Sequence, residues 1–564
     1  MPAFEERPWL SSYAEGVDAD IPEVTESLVD MFETSVRRHS RRVALEFYGR
    51  ETKYRELGDA VRRAAMGLRR LGVKRGDRVA IVLPNCPQHV VAFYAALRLG
   101  AIVVEHNPLY TPRELRHQFE DHGAKFAIVW DKVADLVAGF DADVRPAGVV
   151  AVDVSRALPF GKRFALRLPL PKARDARAAL TARPTVRSVR DWNDVVDVRP
   201  LPARHPRPEI DDVALLQYTS GTSGTPKAAI LTHRNLRANA MQGRAWVPGM
   251  LPGREVFYGV LPFFHAYGLT LCLTFAMSVG ARLVLFPRFE LEAVLEAVKR
   301  TPPTFLPAVP PIYDALSRAA ERRKDVDLSS IRFAISGAMS LPVPTVERWE
   351  DVTGGLLVEG YGMTEASPVA IGNPMGPTRR PGTVGVPFPS TDIRVVDRDD
   401  PRVDLGPGEA GELLLKGPQI FAGYWNRPEE TQATLLPGGW LRTGDIVTVS
   451  EDGFVSIVDR AKELIVTGGF NVSPSEVELV LVGHPDVLGA AVVGLPRRDG
   501  GEDVTAVVEL REGAVFDAGA LRDFARSGLA GYKVPKHVHV VDELPRSLVG
   551  KVLRRQVRDS LIGG

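Results

Sequence analysis

The most chemically suggestive spacing in the chain is Thr219-Ser220-Gly221-Thr222-Ser223-Gly224-Thr225-Pro226-Lys227. Glycines let backbone N–H groups turn inward on an anion, hydroxyls add donors, and Lys227 adds a full positive charge. The stretch reads as a phosphate cradle. It is not a Walker A loop, because Gly224 stands three residues before the lysine and no Ser or Thr follows that lysine directly. A solvated linker shares the composition, but linkers seldom end in Lys or follow an apolar run as close as 213–216.

Two later segments suit a flat ligand. Residues 331–338 read as a strand ending in the small residues Gly337 and Ala338, where a planar group can lie against backbone. Residues 356–365 repeat that design through Gly360, Tyr361 and Gly362, and finish in a hydroxyl and a carboxylate, Thr364 and Glu365. His265 closes a strand ahead of a charge-free helix, a place where a lone histidine is more often a satisfied core residue.

The elements that must position these groups alternate. A helix over 54–71 with a glycine stop, a strand over 78–83, a helix over 88–99 and a strand over 100–104 argue for parallel sheet with helices on its faces. Thr111-Pro112-Arg113-Glu114 has capping-box spacing with proline at the first helical position. Short strands and turns over 383–458 suggest a small β-rich subdomain. Beyond a boundary near 459, Ser473-Pro474-Ser475-Glu476 opens a helix, and the rest reads as an α+β unit of usual domain size. The expected fold is α/β: two parallel-sheet subdomains plus a β-rich subdomain over 1–458, then a mobile α+β domain over 459–564.

Bulk properties exclude several function classes. At 564 residues and 45% hydrophobic content, the chain can build a full core in three or four units. Lys+Arg of 71 against Asp+Glu of 70 leaves no global field to attract nucleic acid. Cys86 and Cys272 cannot make a disulfide framework, which points to a reducing cytoplasm. The charge-free run between Glu255 and Arg282 is long enough to span a bilayer, but Pro262, His265 and Thr270 interrupt it, and it divides better into strand, helix (266–279) and strand. Residues 156–190 differ in kind: ten cationic side chains face only Asp175 among Phe160, Phe164, Leu166, Leu168 and Leu170. A solvated insertion is the preferred reading, with peripheral contact to anionic lipid at the inner membrane face as the alternative.

Five motifs occur in order: Tyr218 to Lys227, Tyr361-Gly-Met-Thr-Glu365, Trp440-Leu-Arg-Thr-Gly-Asp445, Asp459-Arg-Ala-Lys462-Glu-Leu-Ile, and Pro545-Arg-Ser-Leu-Val-Gly-Lys551. Together they resemble the adenylate-forming superfamily of acyl-CoA synthetases, luciferases and peptide-synthetase adenylation domains. Asn107 to Leu115 and Leu261-Pro-Phe-Phe-His265 are most similar to bacterial long-chain fatty-acid–CoA ligases. Glu463, where such ligases often carry Asp, and Thr467, where Ser often leads, depart mildly from the pattern.

The resemblance implies a two-step reaction with ATP, Mg²⁺ and coenzyme A. A fatty acid is activated as acyl-AMP with release of pyrophosphate, and the CoA thiol then takes the acyl group. By resemblance, Thr219, Ser220, Gly221, Thr222, Ser223, Gly224, Thr225 and Lys227 hold the phosphates, and Gly337, Ala338, Gly360, Tyr361 and Gly362 frame the adenine. Thr364 touches the α-phosphate, Thr219 and Glu365 serve the metal, and Asp445 with Arg460 takes the ribose. Lys551 bridges carboxylate and α-phosphate, Lys462 is the hinge, Gly468, Gly469 and Phe470 line the CoA path, and His265 stands near the acyl carboxylate. Two alternatives stay open: a fatty-acyl-AMP ligase serving a carrier protein, and a non-catalytic acyl- or nucleotide-binding relative. A homodimer is a further open partner; acyl chain length is not legible.

Overall fold

The computed structural model describes residues 4–219, 226–460, 463–467, 470–497, 502–547 and 550–562. Two large sheets dominate them. One runs edge to edge through Arg190–Asp191, Gly148–Val152, Phe126–Trp130, Arg78–Val82, Ile102–Glu105, Val213–Thr219 and Lys227–Thr232. Its pairing is parallel until the last two strands, which run antiparallel. The other runs through Val386–Pro387, Val369–Gly372, Leu356–Gly362, Phe333–Ser336, Phe305–Ala308, Val256–Gly259, Arg282–Leu285, Val43–Phe47 and Arg50–Lys53. It too is parallel at its centre and antiparallel at both ends. Every residue of Ile102–Glu105 and Phe305–Ala308 is buried, as strands covered on both faces by helices must be.

The β-rich part is an antiparallel sheet of Asp392–Val396, Gly411–Lys416, Trp440–Val449, Leu435–Leu436 and Val455–Arg460. The C-terminal part packs the helices Pro474–Val482 and Ala518–Gly528 on the strands Val487–Pro496, Glu502–Leu510 and His537–Val541. This is the expected α/β architecture. The expected division at 458–459 falls inside the Val455–Arg460 strand, whose Asp459 and Arg460 still pair with Ile446 and Asp445.

Local signals account for most element ends. Tyr54–Leu71 buries Leu57, Val61, Ala64 and Leu68, and each large apolar side chain so removed from water contributes about 2 kcal/mol. Gly72 stops this helix in a left-handed conformation, φ +105°. Thr111 and Glu114 exchange both bonds of the expected capping box. At Ser473 only half of that box forms. The Ser473 hydroxyl accepts from Glu476 N–H, but the Glu476 carboxylate lies 2.7 Å from Lys533 Nζ, a charge-assisted partner stronger than a neutral backbone N–H.

The charge-free stretch also departs from a plain α-helix. Gly268–Thr274 is wound with wide, π-type bonding before Phe275–Ser278 recovers α geometry. A Cβ on Gly268 would stand 2.2 Å from the Pro262 carbonyl oxygen, so the incoming turn and the helix approach too closely for any other residue. No helix among the described residues is long and apolar enough to cross a membrane. Cys86 and Cys272 are free and buried. The basic stretch contains two short helices, Phe160–Ala165 and Pro171–Leu180, with no buried residue, and Phe160 is 83% exposed.

Candidate active site

The strand entering the phosphate loop returns directly. Val213–Thr219 pairs antiparallel with Lys227–Thr232, and Thr219 stands opposite Lys227. The two strands therefore lie as an antiparallel pair at a sheet edge, which presents Thr219 and Lys227 side by side. Ser220, Gly221, Thr222, Ser223, Gly224 and Thr225 lie outside the described residues. Both hairpin strands pack against the Thr364–Ala366 turn, bringing Thr364 and Glu365 to the same place.

Two residues at this junction were missed by sequence reasoning, Tyr424 and Glu430. Residues 421–425 run beside the hairpin: Ile230 N–H donates to Gly423 O at 2.8 Å and Trp425 N–H to Ala228 O at 2.9 Å. Tyr424 is thereby set between two charged groups. Its hydroxyl donates to Glu365 Oε1 at 2.6 Å, and its ring centroid lies 5.2 Å from Lys227 Nζ. Glu430 Oε1 is 3.9 Å from the same ammonium. Burial, reinforced by the Glu365 charge, pushes the Tyr424 hydroxyl well above its ordinary pKa, so it remains a donor. Nothing in the spacing of residues 421–431 pointed to Glu365; only the folded chain makes them neighbours.

Phe333–Ser336 and Leu356–Gly362 lie parallel and adjacent, so the segments beginning at Gly337 and Gly360 emerge together. A Cβ on Gly337 would come within 3.2 Å of Tyr267 Cζ, and one on Gly362 within 1.9 Å of Pro368 O. Gly362 is therefore closed to any side chain, and at Gly337 one would crowd the Tyr267 ring. Ala338 holds a left-handed backbone, φ +68°, unusual for a residue with a Cβ. The Tyr361 hydroxyl donates to Asp445 Oδ2 at 2.5 Å, and Asp445 stands opposite Arg460 in the strand pair. Glu359, also unforeseen, sits just before Gly360 with its carboxyl pushed up to about 8 by burial.

His265 is placed by two buried amides. Asn85 donates to Gly259 O and Leu261 O at 3.0 and 2.7 Å and accepts from Phe263 N–H at 2.8 Å, pinning the turn that leads to the histidine. Gln217, two residues before Thr219, donates to Phe264 O at 2.6 Å, so the phosphate hairpin is tied to this turn. His265 is half-buried, and burial lowers its ring pKa to about 4. The imidazole is neutral at physiological pH. Tyr267 N–H donates to Nδ1 at 3.3 Å, which leaves the proton of the neutral ring on Nε2 as a donor suited to a carboxylate.

Lys551 follows a tight turn of the C-terminal part. Ser547 N–H donates to Lys551 O at 2.7 Å, and Gly550 takes φ +78°. A Cβ on Gly550 would stand 3.6 Å from Met339 Sδ and 3.9 Å from Pro311 Cγ. The turn thus rests against the residue following Ala338. Lys462, Gly468 and Gly469 lie outside the described residues; Phe470 begins the strand Phe470–Val472.

The AMP-binding enzyme family matches residues 32–425, and its C-terminal domain matches residues 476–551. The chain belongs to this family. It is 38% identical over 555 residues to a long-chain-fatty-acid–CoA ligase of Bacillus subtilis (strain 168), covering 98% of each chain. The crystal structure of the anthranilate CoA ligase AuaEII with anthranoyl-AMP superposes with a TM-score of 0.81 at 26% identity, covering 96% of this chain and 98% of that one. ATP-bound MatB from Rhodopseudomonas palustris gives 0.78 at 29% identity, covering 94% and 98%. Like its relatives, the protein is an ATP-binding, adenylate-forming enzyme.

Removing the hydroxyl under Glu365 leaves a buried carboxylate short of a donor, worth about 1–3 kcal/mol. Tyr424→Phe should therefore destabilise the protein by about 1–3 kcal/mol, seen as a lowered thermal-unfolding midpoint; an unaltered midpoint would show that the bond to Glu365 adds nothing to stability. His265→Ala should raise the fatty-acid KM about tenfold while the pH profile of kcat/KM keeps its shape between about pH 6 and 8. Loss of an inflection near the ordinary imidazole pKa would instead show that His265 titrates in the working enzyme.

Proposed function

We propose that the protein is an ATP-dependent fatty acid–CoA ligase acting on long-chain acids, through an acyl-adenylate. The observation that carries this reading is the convergence of four distant segments: the Thr219–Lys227 hairpin stem, the Thr364–Glu365 turn, the Tyr361–Asp445 pair and the Gly550–Lys551 turn beside Met339. A carboxylate is a poor electrophile, and its attack on ATP brings two anions together. Positive charge placed at the junction is the main help a protein can give such a step. Lys227 and the loop 220–225 would hold the β- and γ-phosphates, Thr364 the α-phosphate, and Lys551 the oxygens that carry the new bond. Gly337, Ala338, Gly360, Tyr361 and Gly362 would frame the adenine, with Asp445 and Arg460 on the ribose.

The residues present fit a magnesium ion. Among the described residues no three His, Cys, Asp or Glu side chains gather as a metal cage, whereas one buried carboxylate, Glu365, stands by the hairpin with Thr219. Mg²⁺ is commonly held in that way, by one or two carboxylates plus substrate phosphates. Bound there, it would neutralise phosphate charge, while the Tyr424 hydroxyl keeps the Glu365 carboxylate in register.

The second step needs a thiol where the lysine stood. Rotation of the C-terminal part about Lys462 would withdraw Lys551 and bring Gly468, Gly469 and Phe470 to line a CoA path, re-using one lid for two half-reactions. The exposed Phe160, Phe164 and Leu170 beside Lys162, Arg163, Arg167 and Lys172 support a peripheral contact with anionic membrane, where long-chain acids reside.

Lys551→Ala should lower pyrophosphate release by about a hundred- to a thousandfold while thioester formation from supplied acyl-adenylate survives. Lys462→Pro should do the reverse; equal loss of both half-reactions in either variant overturns its assigned role. Free CoA as a competent acceptor separates this enzyme from one that serves only a carrier protein. Replacing the cations of 162–177 with Gln should abolish co-sedimentation with phosphatidylglycerol vesicles, and unchanged co-sedimentation removes the membrane contact.

A further inference from the structure

A cavity of about 300 Å³ lies away from the Thr219–Lys227 hairpin, where the two large sheets reach their other edges. It is bounded by the Arg50–Lys53 edge strand, the Tyr54–Leu71 helix, the start of the Pro87–Arg98 helix and the Trp192–Val196 helix, which follows the Arg190–Asp191 edge strand. The phosphate hairpin occupies the opposite edge of its sheet, with several strands between. The cavity is therefore separate from the nucleotide site. Its size falls in the range of small-molecule pockets.

The lining is amphiphilic. Leu57, Val91, Ala157, Trp192 and Val196 form the apolar base, and three arginines from distant segments, Arg50, Arg63 and Arg156, stand around it. Their charges are unequally compensated. Arg63 lies 2.7 Å from Asp59, and Arg156 is shared between Asp153 at 3.6 Å and Asp191 at 3.5 Å. Arg50 donates to the Arg156 carbonyl at 2.9 Å and makes no ion pair among the described residues. An apolar base under a surplus guanidinium is complementary to a chain carrying one anionic head. Arg156 and Ala157 also lead into the Phe160–Ala165 helix with its exposed aromatics, so the mouth adjoins the surface that an acid leaving a bilayer meets.

We propose that this cavity is a second, non-catalytic site for a free long-chain fatty-acid carboxylate, with its head on Arg50 and its chain against Leu57, Val91 and Trp192. The assignment rests on the reading that the enzyme handles such acids. The guanidinium offers the carboxylate a charge-assisted, fork-shaped contact, and the apolar base gains by removing chain methylenes from water. Occupancy here would keep substrate at the protein surface before it enters the catalytic site.

Equilibrium dialysis of the full chain with radiolabelled dodecanoate, below its micelle concentration, tests this. The catalytic acyl and nucleotide sites are first saturated with a non-hydrolysable dodecanoyl-sulfamoyl adenosine. The expected result is one further equivalent of dodecanoate retained by the wild type. Arg50→Glu should weaken that retention about tenfold, and Ala60→Trp, which fills the cavity from its wall, should abolish it. Pyrophosphate release at saturating acid should remain at the wild-type rate in both variants. No retention once the analogue is bound, equal retention by both variants, or equal uptake of dodecyltrimethylammonium would each overturn the proposal. Retention only when phosphatidylglycerol vesicles are added would assign the surface to lipid headgroups and likewise overturn it. Because the analogue blocks the catalytic site, a wrong second site leaves the ligase activity intact, whereas a wrong ligase reading shows as absent pyrophosphate release in the wild type.

Discussion

A single buried carboxylate, that of Asp459, ties the C-terminal part to the rest of the molecule. It stands at the end of the Val455–Arg460 strand and binds three groups from beyond it. The Ser473 hydroxyl donates at 2.7 Å, Ser475 N–H at 2.9 Å and Arg554 Nη1 at 3.2 Å. Arg554 also binds Glu463 at 2.5 Å and Glu478 at 2.6 Å. Burial disfavours a charged guanidinium, but the Glu478 bond and the charges of Asp459 and Glu463 outweigh it and raise its pKa. Such a cluster is costly to break piecemeal, because each removed partner leaves a desolvated charge behind. In the same arrangement Gly550 of the C-terminal part lies beside Met339 and Pro311 of the larger part.

Arg554 reaches both Asp459 and Glu463, on either side of Lys462. Glu463, Glu478 and Arg554 all lie beyond residue 462 whereas Asp459 lies before it, so of these three ion pairs the Arg554–Asp459 bond is the one that joins the C-terminal part to the β-rich sheet. Glu463 is thus engaged as a carboxylate partner of Arg554. The extra methylene relative to Asp lengthens its reach to a guanidinium that already binds two other carboxylates.

On the nucleotide side the same economy recurs in polar contacts. Gln217 joins the hairpin to the Phe264–His265 turn, Asn85 joins that turn to the neighbouring sheet, and Tyr424 joins Glu365 to Lys227. Each of these side chains is buried or nearly so, where an unmet donor or acceptor is expensive and a met one is rigid. These contacts hold the hairpin stem, the turn leading to His265 and Glu365 in one fixed arrangement. The exposed basic helices of 160–180 and the cavity behind them lie at the other end of the sheets, away from this rigid centre.

The sequence alone determined the parts governed by local physics. Apolar runs marked the central strands, helical spacing and a terminal glycine bounded Tyr54–Leu71, and the hydroxyl–glycine–lysine spacing marked the anion loop, because those signals act within a few residues. Order and spacing of the motifs also revealed the family and with it the reaction. Only the tertiary structure decided which distant groups touch: that Thr219 and Lys227 lie side by side, that Tyr424 bridges Glu365 and Lys227, that Glu476 prefers Lys533 to its own helix, and that Arg50, Arg63 and Arg156 meet over one cavity. These contacts depend on burial and on pairings far apart along the chain, which no local window of residues contains.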